Sequence, residues 1–139
     1  MSLLSGGTAV ARERLPREAA SVGEARLLVE DVLVEHGVTD RSLLDAAVLC
    51  VSEMATDCVR HGTGADLAVE VGLGPRRVQV TVTVAAEDDQ VDPGVGSDAS
   101  AGGPPDVVEH SRQVLDMVAG SWDLRVYDGV RTLWYRLER

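Results

Sequence analysis

From Ser52 to His61 the chain reads Ser-Glu-Met-Ala-Thr-Asp-Cys-Val-Arg-His, and Glu53, Asp57, Arg60 and His61 are the side chains there that can do chemistry. In a helix, at about 100° per residue, Glu53, Asp57 and Arg60 share one turn-wide stripe. Carboxylates accept protons and bind hard cations. A carboxylate pair on an exposed stripe is therefore either a reactive site or an ordinary solvated surface. In the ordinary case Asp57 pairs with Arg60 or His61 for a few tenths of a kcal/mol, and His61 simply complements the negative end of the helix dipole.

That stripe has to be positioned by the rest of the chain. Leu44, Ala47, Val48, Val51, Ala55 and Cys58 recur at helical spacing and predict a buried face opposite Glu53 and Asp57. Thr39 or Asp40 is the expected cap of this helix, and Gly62 to Gly64 its end. Upstream, residues 1–7 read as a loose tail, and Thr8 to Leu15 alternates as a short strand stopped by Pro16. Ser21 with Glu24 forms an expected capping box. Behind it Val22, Ala25, Val29, Val32 and Leu33 make the buried stripe of a first helix that stops near Gly37.

Downstream, Leu67, Val69, Val71 and Leu73, then Val78, Val80, Val82 and Val84, alternate as two strands around Gly74-Pro75-Arg76-Arg77. They predict an antiparallel hairpin. Residues 87–105 are rich in Asp, Gly, Ser and Pro and predict a long acidic loop, which is a disordered insert or a contact for a basic partner. Val107, Val108, Ser111, Val114, Leu115 and Val118 define a third helix. Trp122 to Val126 and Val130 to Leu137 are strands joined by Asp128-Gly129, a strong hairpin turn. Trp122 and Trp134 are expected in core or cross-strand packing. The order predicts one α+β domain over 8–139: a two-layer α/β sandwich, with a mixed or antiparallel sheet and three helices on one face.

With 139 residues, 45% of them hydrophobic, the chain can bury a substantial core, built from Val, Leu and Ala because it has no Phe. Its net charge of −10, from 13 basic and 23 acidic residues, argues against nucleic acid and anionic membrane as partners. Cys50 and Cys58 would lie about 12 Å apart on one helix, too far for a disulfide. Free buried thiols fit a reducing compartment. Neither a signal peptide nor a spanning segment is visible, so a cytoplasmic location is expected.

The element order, together with Ser52-Glu53-x-x-x-Asp57-x-x-Arg60-His61, resembles the histidine-kinase-like (Bergerat) ATPase fold of the GHKL superfamily. Within it the chain is most similar to the small actinobacterial anti-sigma-factor serine/threonine kinase group. Arg14-Leu15-Pro16 with Val22-Gly23-Glu24-Ala25-Arg26 carries the resemblance at the start. Val118-Ala119-Gly120-Ser121-Trp122 and Asp128-Gly129-Val130-Arg131-Thr132-Leu133-Trp134 carry it at the end.

In that family the motif is Ser-Glu-x-x-x-Asn-x-x-x-His. The resemblance implies that Glu53 is the general base and that Asp57 stands where an Asn carries magnesium. It also implies that Asp57, Arg60, His61, Ser111 and Arg112 surround the nucleotide. Two family elements differ: Ala86 stands at the adenine-reading Asp, and Glu109, His110, Ser111 and Arg112 stand where a glycine-rich stretch holds phosphate, with Gly102-Gly103 upstream.

The expectation is a regulatory protein-binding module whose partner is a sigma factor or an anti-anti-sigma protein, with ATP binding weak or lost. The alternative is an active ATP- and magnesium-dependent serine/threonine kinase. The cofactor is accordingly ATP with magnesium or none, and a homodimer is compatible with either reading.

Overall fold

Alternation, helical stripes and turn residues resolve into eight elements in the computed structural model, which describes the backbone of residues 8–86 and 105–139 and the side chains of 9–86 and 111–139. They are β1 (Thr8–Pro16), α1 (Ala20–Glu35), α2 (Arg41–His61), β2 (Thr63–Leu73), β3 (Arg77–Ala85), α3 (Pro105–Val118), β4 (Ser121–Tyr127) and β5 (Val130–Glu138). The expected tail, and the expected acidic loop from 87 to 104, lie outside the described residues. Pro105 already opens α3, where a missing N–H costs a helix nothing.

The sheet is five-stranded in the order β1-β2-β3-β5-β4, and every pair in it is antiparallel. The mixed sheet left open by the sequence is thus decided in favour of the antiparallel one. Asp128 and Gly129 both have positive φ, 54° and 75°, the twist that lets a two-residue turn join neighbouring strands. Register across β3 and β5 puts Val78, Val80, Val82 and Val84 opposite Leu137, Tyr135, Leu133 and Arg131.

These residues, with Leu67, Val69 and Val71 of β2, form the face that the helices cover. Ala25, Val29 and Leu33 of α1, Val51, Met54 and Cys58 of α2, and Leu115 of α3 belong to the same buried cluster. A small-residue face on α2 lets the helix lie close to the valine-rich sheet. Tyr135 is completely buried, and its hydroxyl donates to the Ala47 carbonyl at 2.6 Å. An otherwise stranded phenol is satisfied in this way, and β5 is pinned to the middle of α2.

Helix ends follow the sequence in one case and correct it in the other. Asp40 caps α2, its Oδ1 accepting the N–H groups of Ser42 at 2.9 Å and Leu43 at 3.4 Å. The expected Ser21–Glu24 capping box does not form. The chain already turns at Pro16 to Ala19, where Glu18 O accepts the Ser21 N–H and Ala19 O that of Val22. Ser21 is therefore inside α1 and 1% exposed, and its Oγ meets no partner among the described residues.

Arg17, at the same corner, caps the other helix. Its guanidinium donates to Val59 O at 2.7 Å and to Gly64 O at 2.8 Å, satisfying a carbonyl left open by the last turn of α2. Gly62 follows at the C-cap, its N–H bonded to Cys58 O at 2.9 Å. A Cβ at Gly62 would stand 2.5 Å from Val84 Cγ2, so only glycine lets α2 close onto β3 here. Among the described residues no helix is long and apolar enough to cross a membrane.

Candidate functional site

Glu53, Asp57, Arg60 and His61 all lie in the second half of α2, but they do not share one solvated stripe. Arg60 is exposed, while Glu53 and His61 are partly buried. Asp57 is 2% exposed and belongs to the core side of the helix. The reason is a wide apolar face: with Met54, Ala55 and Cys58 all fully buried, the arc facing the sheet extends past Asp57.

A carboxylate placed there needs a cation, and the cation comes from β5. Arg131 has the same strand parity as Leu133, Tyr135 and Leu137, so it projects toward the helices rather than into solvent. It is 3% exposed. Its Nε lies 2.8 Å and its second terminal nitrogen 2.7 Å from the same Asp57 oxygen, Oδ2. The pair therefore ties the end of α2 to the centre of the sheet, across 74 residues of chain. Neither Arg60 nor His61 is the ion-pair partner that sequence spacing suggested.

One turn earlier, α3 reaches the other carboxylate. Ser111 is 6% exposed, and its Oγ donates to Glu53 Oε1 at 3.1 Å. The expected neighbours Glu53 and Ser111 are thus brought together, whereas Arg112 lines a small cleft with Asp116, Trp122, Asp123 and Leu124 on the β4 side of α3. Trp122 donates its indole N–H to Asp116 at 2.7 Å and packs against the core. The side chains of Glu109 and His110 lie outside the described residues, as does Gly102-Gly103.

The electrostatics follow from burial. His61 is held below its ordinary pKa, first by desolvation and further by the nearby Arg131 and Arg60 charges; Asp57 opposes the shift. Its Nε2 is buried and meets no partner among the described residues. Burial pushes the Cys50 thiol up to about 12, with Glu53 adding to the effect. Burial raises Cys58 as well, with Asp57 reinforcing and Arg131 opposing. Both cysteines are free, and at neutral pH they are thiols rather than nucleophilic thiolates.

A magnesium ligand must offer a carboxylate oxygen with room for the metal's waters. Asp57 instead lies under the helix with two guanidinium contacts on Oδ2. Among the described residues no group of three or more His, Cys, Asp or Glu converges as a metal site would require. Asp57 in this arrangement does not fit the role of metal ligand. Ala86, which the resemblance aligns with an adenine-reading Asp, is 7% exposed and its backbone N–H is bonded to Gly129 O at 2.9 Å; it has no side-chain acceptor for an amino group.

On the opposite face of the sheet lies a cleft of about 600 Å³ whose lining includes Arg125, Tyr127, Thr132, Trp134 and Arg136. Arg136 stacks on Trp134 at 4.8 Å and donates to Gln79 at 2.7 Å. Trp134 thus lies on the open face of the sheet, packed against Arg136 two residues along the same strand, and is not a core residue.

Sequence reading missed Arg131 as a site residue, although the period-two run Arg131, Leu133, Tyr135, Leu137 already puts a charge on the apolar parity. It also missed Arg17, for which no local pattern exists. No protein-family model matches this chain, and no curated protein matches it.

Proposed function

We propose that this chain is a diverged histidine-kinase-like ATPase domain of the anti-sigma-factor kinase type. It acts by binding a sigma factor or an anti-anti-sigma protein, with nucleotide binding weak or lost. It is cytoplasmic and regulatory in this reading. The α+β order, the antiparallel sheet and the Glu53 segment on α2 support the fold type. The single observation that carries the loss of nucleotide chemistry is the buried Asp57–Arg131 pair.

An Asn at position 57 could turn its oxygen to a cation. A carboxylate locked to a core arginine cannot do so without breaking the pair and leaving Arg131 buried and uncompensated, which costs about 3–5 kcal/mol. Absent bare glycine amides at Ser111 and Arg112, and an apolar Ala86 at the adenine position, support the same conclusion.

The alternative reading, an ATP- and magnesium-dependent serine/threonine kinase, keeps Glu53 as base. It is favoured by the survival of Glu53 as a partly accessible carboxylate with a hydroxyl, Ser111, in hydrogen-bond contact. Phosphoryl transfer also needs positive charge and positioned donors around the phosphates. These are what the Asp57–Arg131 pair withdraws from the pocket.

Isothermal calorimetry with ATP and magnesium tests the choice. No measurable heat up to millimolar nucleotide, together with co-purification of a sigma factor or an anti-anti-sigma protein from the source cell, is the expected result. Micromolar binding with transfer of labelled phosphate to a serine of the partner would replace the proposal with the kinase reading.

A further inference from the structure

Two strands end the sheet, and they differ as edges. β1 carries exposed Arg12, Glu13 and Arg14 and a register irregularity between Ala9 and Ala11, features that discourage further pairing. β4 runs in unbroken register against β5 from Ser121 to Tyr127. The two-residue turn makes Tyr127 and Val130 a hydrogen-bonded pair, and hydrogen bonding then alternates along the strand. The N–H and C=O groups of Trp122, Leu124 and Val126 therefore point away from β5. The 2.8 Å hydrogen bond from the Leu124 N–H to Asp123 Oδ1 agrees with that direction.

The side chains along this edge are complementary to themselves. Asp123 and Arg125 lie on the outer face and pair within the strand at 3.0 Å. A two-fold axis through Leu124 would lay Asp123 opposite Arg125 of a second copy, and Arg125 opposite its Asp123. An axis through residue 123 would oppose Asp to Asp, and one through 125 Arg to Arg. Opposite charges on facing strands stabilise a pair, and like charges destabilise it. Charge thus selects one register. In the same register the backbone groups of Leu124 face those of Leu124 in the copy, and Trp122 faces Val126. Tyr127, 81% exposed in the single chain, comes to lie across from Ser121 of the copy.

We propose that β4 pairs antiparallel with β4 of a second copy about Leu124, giving one continuous sheet across a homodimer. In the single chain the Asp123 carboxylate stands in for the second copy twice, as acceptor for the Leu124 N–H and as counter-ion for Arg125. Dimerisation replaces the first with a backbone carbonyl and moves the second across the interface. The contact is one strand wide, so the dimer is weak and depends on concentration. It uses no residue of the Glu53–Asp57 region and stands whether or not that region binds nucleotide.

Sedimentation equilibrium of the full chain over micromolar to millimolar concentration is the test. Asp123→Arg and Arg125→Asp each place like charges opposite one another and weaken the dimer by at least roughly tenfold. Mixing the two variants pairs arginines on one chain with aspartates on the other, so a heterodimer forms where neither variant dimerises alone. Leu124→Pro removes an outward N–H and leaves the β4–β5 hydrogen bonds in place; it yields a monomer with an unchanged far-ultraviolet spectrum. A wild-type chain that stays monomeric at millimolar concentration overturns the proposal. So does a dimer indifferent to both charge reversals, or a failure of the mixed variants to associate.

Discussion

Arg131→Met leaves the Asp57 carboxylate 2% exposed beneath α2 with its two guanidinium contacts gone. At about 4 Å between charge centres and an effective dielectric of about 20, the lost attraction is about 4 kcal/mol. Removing one partner of a buried pair is measured at about 3–5 kcal/mol in other proteins, because the remaining charge keeps its desolvation penalty. Against a typical total of about 5–15 kcal/mol, that is a large share. For a chain of 139 residues it lowers the melting temperature by roughly 10–20 °C.

The double variant Asp57→Leu/Arg131→Met removes both charges and fills the space with apolar atoms. It should return to within about 1 kcal/mol of the wild type or exceed it. Urea unfolding, followed by circular dichroism and by tryptophan fluorescence, gives all the corners of the cycle once Asp57→Leu is included. If Arg131→Met costs less than about 1 kcal/mol, then Arg60, His61 or water compensates Asp57, and the argument that the pair withholds Asp57 from a metal fails. A double variant no better than the single ones would show that packing, not charge, holds this corner.

The pKa of His61 is lowered by folding, so the unfolded chain takes up a proton that the folded chain resists. Stability from this group is complete above the ordinary value of 6.5 and is lost as the pH falls below it. His61→Gln should flatten the loss of stability as the pH falls below 6.5, read from urea midpoints; an unchanged slope would assign the titration elsewhere. Gly62→Ala puts a Cβ 2.5 Å from Val84 Cγ2 and 2.6 Å from the Cys58 carbonyl. It should destabilise by about 1–3 kcal/mol, and a companion Val84→Ala should recover part of that loss if the clash is its cause.

The Glu53 segment shows how far local pattern reaches. Its helical period, a cap at Thr39 or Asp40 and the glycine stop were all legible, because each depends on residues within a turn or two of one another. The side of the helix on which Asp57 falls was not. That was decided by how much of the α2 surface the sheet covers, a quantity set by partners that are remote in sequence. Ser21 taught the same lesson at smaller scale: its cap pattern was present, but the corner after Pro16 had already started the helix.

By itself, then, the amino-acid order determined the strand and helix succession, both hairpins, the free thiols and the valine-leucine-alanine core. These rest on short-range periodicity and turn chemistry. Tertiary structure alone decided that β5 lies between β3 and β4 and that Arg131 meets Asp57. Such meetings close long loops, and their entropic cost is met only by the packing of the whole sheet against α2. No local pattern encodes them.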